Sequence, residues 1–114
     1  MPKRFETFND GVLSVYEAVK KEVGFGAPRN TREKAELQKV VKLAYKESSK
    51  REKDLEFAQS RGRTLSLKVK TRIYKNISSV HKVMIEKTLY SIIHIDYDKR
   101  KREMYLYLEE ERAI

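Results

Sequence analysis

The sequence predicts a mainly β protein: a small antiparallel β-barrel of five to six strands with one short α-helix inserted in the middle of the chain. Three observations carry this. Residues 64–74, TLSLKVKTRIY, place Leu65, Leu67, Val69, Thr71 and Ile73 on one side and Ser66, Lys68, Lys70, Arg72 and Tyr74 on the other. A period of two is the signature of a strand with one face in a core. Residues 89–108, LYSIIHIDYDKRKREMYLYL, hold two apolar, β-branched and aromatic runs around a charged break at 96–103, which reads as a hairpin. Strands also succeed one another without alternating helices, so the sheet is expected to be antiparallel, and a small, partly open barrel hides its edges.

The elements follow in order. Residues 1–10 are polar and mixed, a poorly ordered or edge-lying start. Residues 11–18, GVLSVYEA, alternate Leu13 and Val15 with Ser14 and Tyr16. This suits a strand, with a single helical turn as the alternative. Gly24, Gly26, Pro28 and Asn30 then make the densest punctuation in the chain. A mobile loop is expected over residues 20–36, and loops of that length tend to be functional or disordered.

The next stretch is ambiguous. Leu37, Val40, Val41, Ala44 and Tyr45 fit helical spacing, while Val41, Leu43 and Tyr45 alternate with Lys42, Ala44 and Lys46 as in a strand. Residues 48–60, SSKREKDLEFAQS, read more cleanly as a helix. A serine can cap it, Glu52 and Asp54 suit its positive N-terminal end, Leu55 and Ala58 or Phe57 supply a docking face, and Gly62 stops it. After 64–74 come a short strand at 80–85, a turn at 86–88 and the closing hairpin. The first arm of that hairpin, 90–97, is apolar or aromatic at most positions, as in a strand covered on both faces. Ile93, Ile95, Met104, Leu106 and Leu108 are expected to hold the barrel together. The break lacks Asn-Gly or Asp-Gly, so its loop is expected to exceed two residues.

The 114 residues make one domain, long enough for a modest core. The absence of cysteine removes disulfide and thiolate-zinc frameworks. No apolar leader and no run of about 18 apolar residues is present, so the expectation is a soluble protein of a reducing compartment. A net charge of +9, spread over the last two thirds of the chain, favours an anionic partner: nucleic acid, a membrane surface or an acidic protein face.

No catalytic constellation is legible. His81 and His94 are the only histidines and lack any metal-ligand spacing. His94, between isoleucines, reads as structural. Asp96 and Asp98, with Glu103, could in principle hold a divalent cation for a nuclease, but acids at a hairpin mouth are more often turn formers. The segment Gly24-Phe25-Gly26 lacks the context of a phosphate loop. No enzyme, cofactor or metal is expected. Two features suit binding instead. Lys68, Lys70 and Arg72, with Tyr74, form a basic strand face that is a candidate for contact with DNA. Lys99, Arg100, Lys101 and Arg102 form a basic hairpin tip, and Tyr105 and Tyr107 alternate outward beside it. These six are candidates for protein contact.

The segments VVKLAYKESSKREKDLEFAQSRGRTLSLKVKTRIY and HKVMIEKTLYSIIHIDYDKRKREMYLYLEEE, with the opening FNDGVLSVYEA, resemble the head-tail adaptor, or head closure, proteins of tailed bacteriophages and prophages of Gram-positive bacteria. GRTLSLKVKTR, LYSIIHIDYD and REMYLYLEE are the most characteristic pieces. The resemblance implies a small β-barrel with an inserted helix, which makes 39–46 a strand and Ser49 to Gln59 the helix. It also implies a virion protein made in the host cytoplasm. Such proteins form a non-catalytic ring on the portal protein after packaging, offer a platform to a tail-completion protein, and can contact packaged DNA without sequence preference. A cellular barrel that binds nucleic acid through its basic strand face is the alternative.

Overall fold

Alternating apolar positions do build strands, and the strands close on themselves. The computed structural model describes residues 8–18 and 37–113. It contains β1 (Gly11–Ala18), β2 (Leu37–Ser48), α1 (Glu52–Ser60), β3 (Leu67–Arg72), β4 (Lys82–Ile85), β5 (Thr88–Asp98) and β6 (Glu103–Ala113). The barrel runs β1-β2-β3-β6-β5-β4 and is closed by β4 against β1, with every pair antiparallel. Closure exceeds the partly open barrel expected, although β2 meets β3 only through residues 46–48, so among the described residues 37–45 are paired on the β1 side alone. The loop expected over residues 20–36 lies outside the described residues, as do residues 1–7 of the expected polar start.

The barrel interior is a single apolar cluster. Leu13 and Val15 of β1, Val69 of β3, Val83 and Ile85 of β4, Ile92 of β5 and Met104, Leu106 and Leu108 of β6 are buried there. Val41, Leu43 and Tyr45 of β2 pack against it. The alternation of those three residues, rather than the helical spacing of Leu37 to Tyr45, therefore describes the stretch. A barrel strand needs one inward face, and a period of two supplies it.

Outside the barrel, α1 covers a second, smaller cluster of Ala58, Leu65, Ile93 and Tyr107. Ile93 was expected inside. A register shift between Ile92 and His94 in the β5–β6 pair moves it out. A bulge of this kind inserts an extra residue and lets two consecutive side chains leave the usual alternation. Ile92 and Ile95 thus face the core while Ile93 and His94 meet the helix. The nearly continuous apolar run of β5 has this cause: one face lines the barrel and the other lies under α1.

The helix starts later than expected and docks through other residues. Arg51, not a serine, is its N-cap, and the Arg51 backbone N–H donates to Asp54 Oδ2 at 3.0 Å. Leu55, expected on the docking face, is 43 % exposed, whereas Asp54 is buried beside Ala58. Gly62 ends the helix as expected. At φ 71° it donates to the Gln59 carbonyl, and Arg63 N–H reaches the Ala58 carbonyl, both at 2.9 Å. This pair of bonds is a Schellman motif, which the left-handed glycine makes possible.

Candidate functional site

Two places gather charged side chains. The first lies between α1 and the outer faces of β3 and β6. Strand β3 alternates, so Val69 and Thr71 enter the barrel and Lys68 and Lys70 point outward, toward the helix side. Lys68 is only 4 % exposed. Its ammonium donates to Asp54 Oδ2 at 2.9 Å and lies about 5 Å from the rings of Tyr105 and Tyr107. The Tyr107 hydroxyl donates to Asp54 Oδ1 at 3.2 Å, and the Arg51 guanidinium reaches the same carboxylate at 3.3 Å. His94 packs between Phe57 and Tyr107, with ring centroids 5.0 and 5.4 Å away.

Burial pushes the Asp54 carboxyl up, but the Lys68 ammonium and the bonds from Arg51 outweigh it and hold the group well below the usual carboxylate range. For Tyr107, burial acts together with the negative charge and hydrogen bond of Asp54 and pushes the phenol up to about 12. A folded-state value above that of the unfolded chain favours the native state below the unfolded value and is lost as pH rises through the folded one. Stability is therefore expected to fall between about pH 10 and 12 through this group. Tyr107→Phe should remove that part of the alkaline loss. Urea melts of both proteins across this range test it, and parallel pH profiles would refute the assignment.

This geometry corrects the basic strand face. Lys68 is covered by α1 and neutralised by Asp54, so it is not a DNA-facing group. Lys70 lies 3.7 Å from Glu103 and is largely buried, and its ammonium is 5.8 Å from the Tyr105 ring. Arg72 alone of the three is exposed, above the Phe8 ring at 6.0 Å. The outward tyrosines are corrected likewise. Tyr107 is 6 % exposed and Tyr105 half-buried, because outward from the barrel here means inward toward the helix.

The second place is at the end of the barrel where β3 leaves the sheet and the β5–β6 hairpin turns. A cavity of about 820 Å³ is lined by Arg72, Ile73, Lys75, Tyr97, Lys99 and Arg102. The hairpin loop spans residues 99–102, longer than two residues as expected. Arg102 sits at φ 58°, its N–H donates to the Lys99 carbonyl at 3.3 Å, and its own carbonyl accepts from Ile73 N–H at 3.1 Å. The hairpin tip is thus tied to the end of β3. Arg100 and Lys101 are exposed and outside the cavity lining. The basic run KRKR is split: its outer members meet β3 residues around the cavity, and its middle members face solvent.

Asp98 accepts the Lys101 backbone N–H at 3.3 Å, the turn-forming role expected for it. Asp98 and Glu103 are register partners, but Asp96 pairs with Tyr105, and among the described residues no three acidic or histidine side chains converge on a metal position. His81 Nδ1 accepts the Ser78 backbone N–H at 2.9 Å and its Nε2 lies 3.7 Å from Glu17. Sequence reasoning missed Asp54 and the cavity. Asp54 had a local signal only as a helix-start acid, and the cavity joins segments more than twenty residues apart. No helix among the described residues is long and apolar enough to cross a membrane. No protein-family model matches the chain, and no curated protein matches it.

Proposed function

We propose that the chain is a structural protein of the head-tail connector of a tailed bacteriophage or prophage. Copies associate into a ring on the portal protein, close or extend the DNA-filled head, and present a platform to the tail-completion protein. The observation that carries this reading is the topology. A barrel with its helix inserted between β2 and β3 agrees with the small β-barrel with an inserted helix that the segment resemblance implies for head closure proteins.

The rim for such contacts narrows to the hairpin tip, where Arg100 and Lys101 are exposed, since Tyr105 and Tyr107 are engaged by α1. Purified protein added to DNA-filled, tailless heads should cosediment with them and make them competent to join tails. Heads from a deletion strain should leak DNA. Deletion heads that keep their DNA and join tails normally would sink the proposal.

A further inference from the structure

The cavity at the hairpin end is not used by anything described so far, and its composition is lopsided. Four of its six described lining residues, Arg72, Lys75, Lys99 and Arg102, are cations, and none of these six is an acid. None of the four takes part in an ion pair among the described residues; the pairs involve Arg51, Arg63, Lys68, Lys70, His81 and Lys82. Two acids adjoin the cavity residues: Asp98 accepts the Lys101 amide, and the buried Glu103, the register partner of Arg72 on β6, lies beside Lys70. Four cations around one concavity, without an ion pair among the described residues, repel one another, and that repulsion is relieved by an anion.

We propose that this cavity binds a nucleotide unit of nucleic acid, its phosphates on Arg72, Lys75, Lys99 and Arg102 and a base against Tyr97. Tyr97 selects this ligand over a carboxylate-bearing partner, and two further features accommodate it. Tyr97 is 41 % exposed and lines the cavity, as does Ile73, so an aromatic face adjoins the cations. A base stacks on such a surface, whereas an acidic side chain has no use for it. Arg72 and Arg102 offer planar forks that meet phosphate oxygens two at a time. The cavity volume of about 820 Å³ also falls within the roughly 300–1,000 Å³ of sites that enclose a ligand of this size.

The backbone bonds of Arg102 to Lys99 and Ile73 hold the two halves of the site together before a ligand arrives, which reduces the ordering cost of binding. Such a site takes Arg72 alone from the basic β3 face and leaves out Lys68, which is covered. It does not depend on the connector role, because a phosphate site can serve any protein that meets nucleic acid.

The test is fluorescence anisotropy of the full-length protein with a short labelled oligothymidylate over a range of salt. Lys75→Glu with Lys99→Glu should weaken binding by roughly tenfold or more. The same pair should flatten the log–log salt slope by about 0.7 for each phosphate that is no longer neutralised. Lys53→Glu with Lys87→Glu changes net charge equally at exposed positions outside the described cavity lining, and should have a much smaller effect. Tyr97→Ala should weaken single-strand binding by about fivefold or more, the low end for removal of one base stack. Thermal melts establish that each variant is folded. Competition by thymidine monophosphate marks a site for the free nucleotide, and competition by oligothymidylate alone marks a site for the strand. Equal loss in the two charge-reversal pairs, no response to Tyr97→Ala, or competition by polyglutamate as strong as by oligothymidylate would each overturn the proposal.

Discussion

Asp54→Ala is expected to destabilise the protein by roughly 3–5 kcal/mol, the usual cost of removing one partner from a buried ion pair. The reason is what remains. Lys68 is 4 % exposed, and without Asp54 its ammonium keeps, among the described residues, the neighbouring tyrosine rings. Tyr107 also loses its acceptor. Because the folded Asp54 carboxyl titrates below its unfolded value, its contribution is present above about pH 4 and is lost as pH falls through the folded value. Wild type should therefore lose stability in acid through this group, and Asp54→Ala should not. Replacing both partners, Asp54→Ala with Lys68→Met, should restore much of the loss, since an apolar pair leaves no buried charge unpaired. Urea denaturation of the single and double variants tests this. A single-variant loss near zero, or no recovery in the double variant, would show that the pair does not clamp the helix. It also follows that Lys68→Glu would oppose two buried carboxylates, so weaker binding by that variant would report disruption of the fold rather than removal of a ligand-binding group.

Leu106→Ala is the second large effect, expected at about 2–5 kcal/mol from reduced burial and the cavity left behind. Leu106 is fully buried on β6, with Val69 as its register partner on β3 and Ile95 on β5. Both neighbours belong to closed ladders, so the barrel wall cannot collapse far into the gap. Thermal and urea melts measure the loss. A cost below about 1 kcal/mol would mean that the wall relaxes, contrary to the tight packing of protein interiors. In contrast to Asp54→Ala, this loss should not depend on acid pH, because no titrating group is involved.

The legible parts of the molecule were those where local pattern and tertiary environment agree. Alternation in residues 64–74 and 103–109 located β3 and the core side of β6, because a barrel wall has one apolar and one outer face. The apolar density of 90–97 announced cover on both faces before the covering element was known. The stretch 37–46 was ambiguous because Leu37, Val40, Val41, Ala44 and Tyr45 satisfy two periods at once. Leu55 misled because helix burial is set by what the helix meets, and α1 meets Lys68. A carboxylate on the docking face satisfies that cation, and a leucine would leave it unpaired.

Fold class, the strands other than β2, the helix stop at Gly62 and the basic character of the hairpin tip were determined by the sequence alone. Each is a local property of period, backbone freedom or charge. Only the tertiary structure decided which face of β3 is covered, that the β5 bulge turns Ile93 toward α1, and that Arg72 and Lys75 join Lys99 and Arg102 around one cavity. These depend on closure of the barrel and the landing of α1. Both bring together groups that are far apart along the chain, and no local pattern records such a meeting.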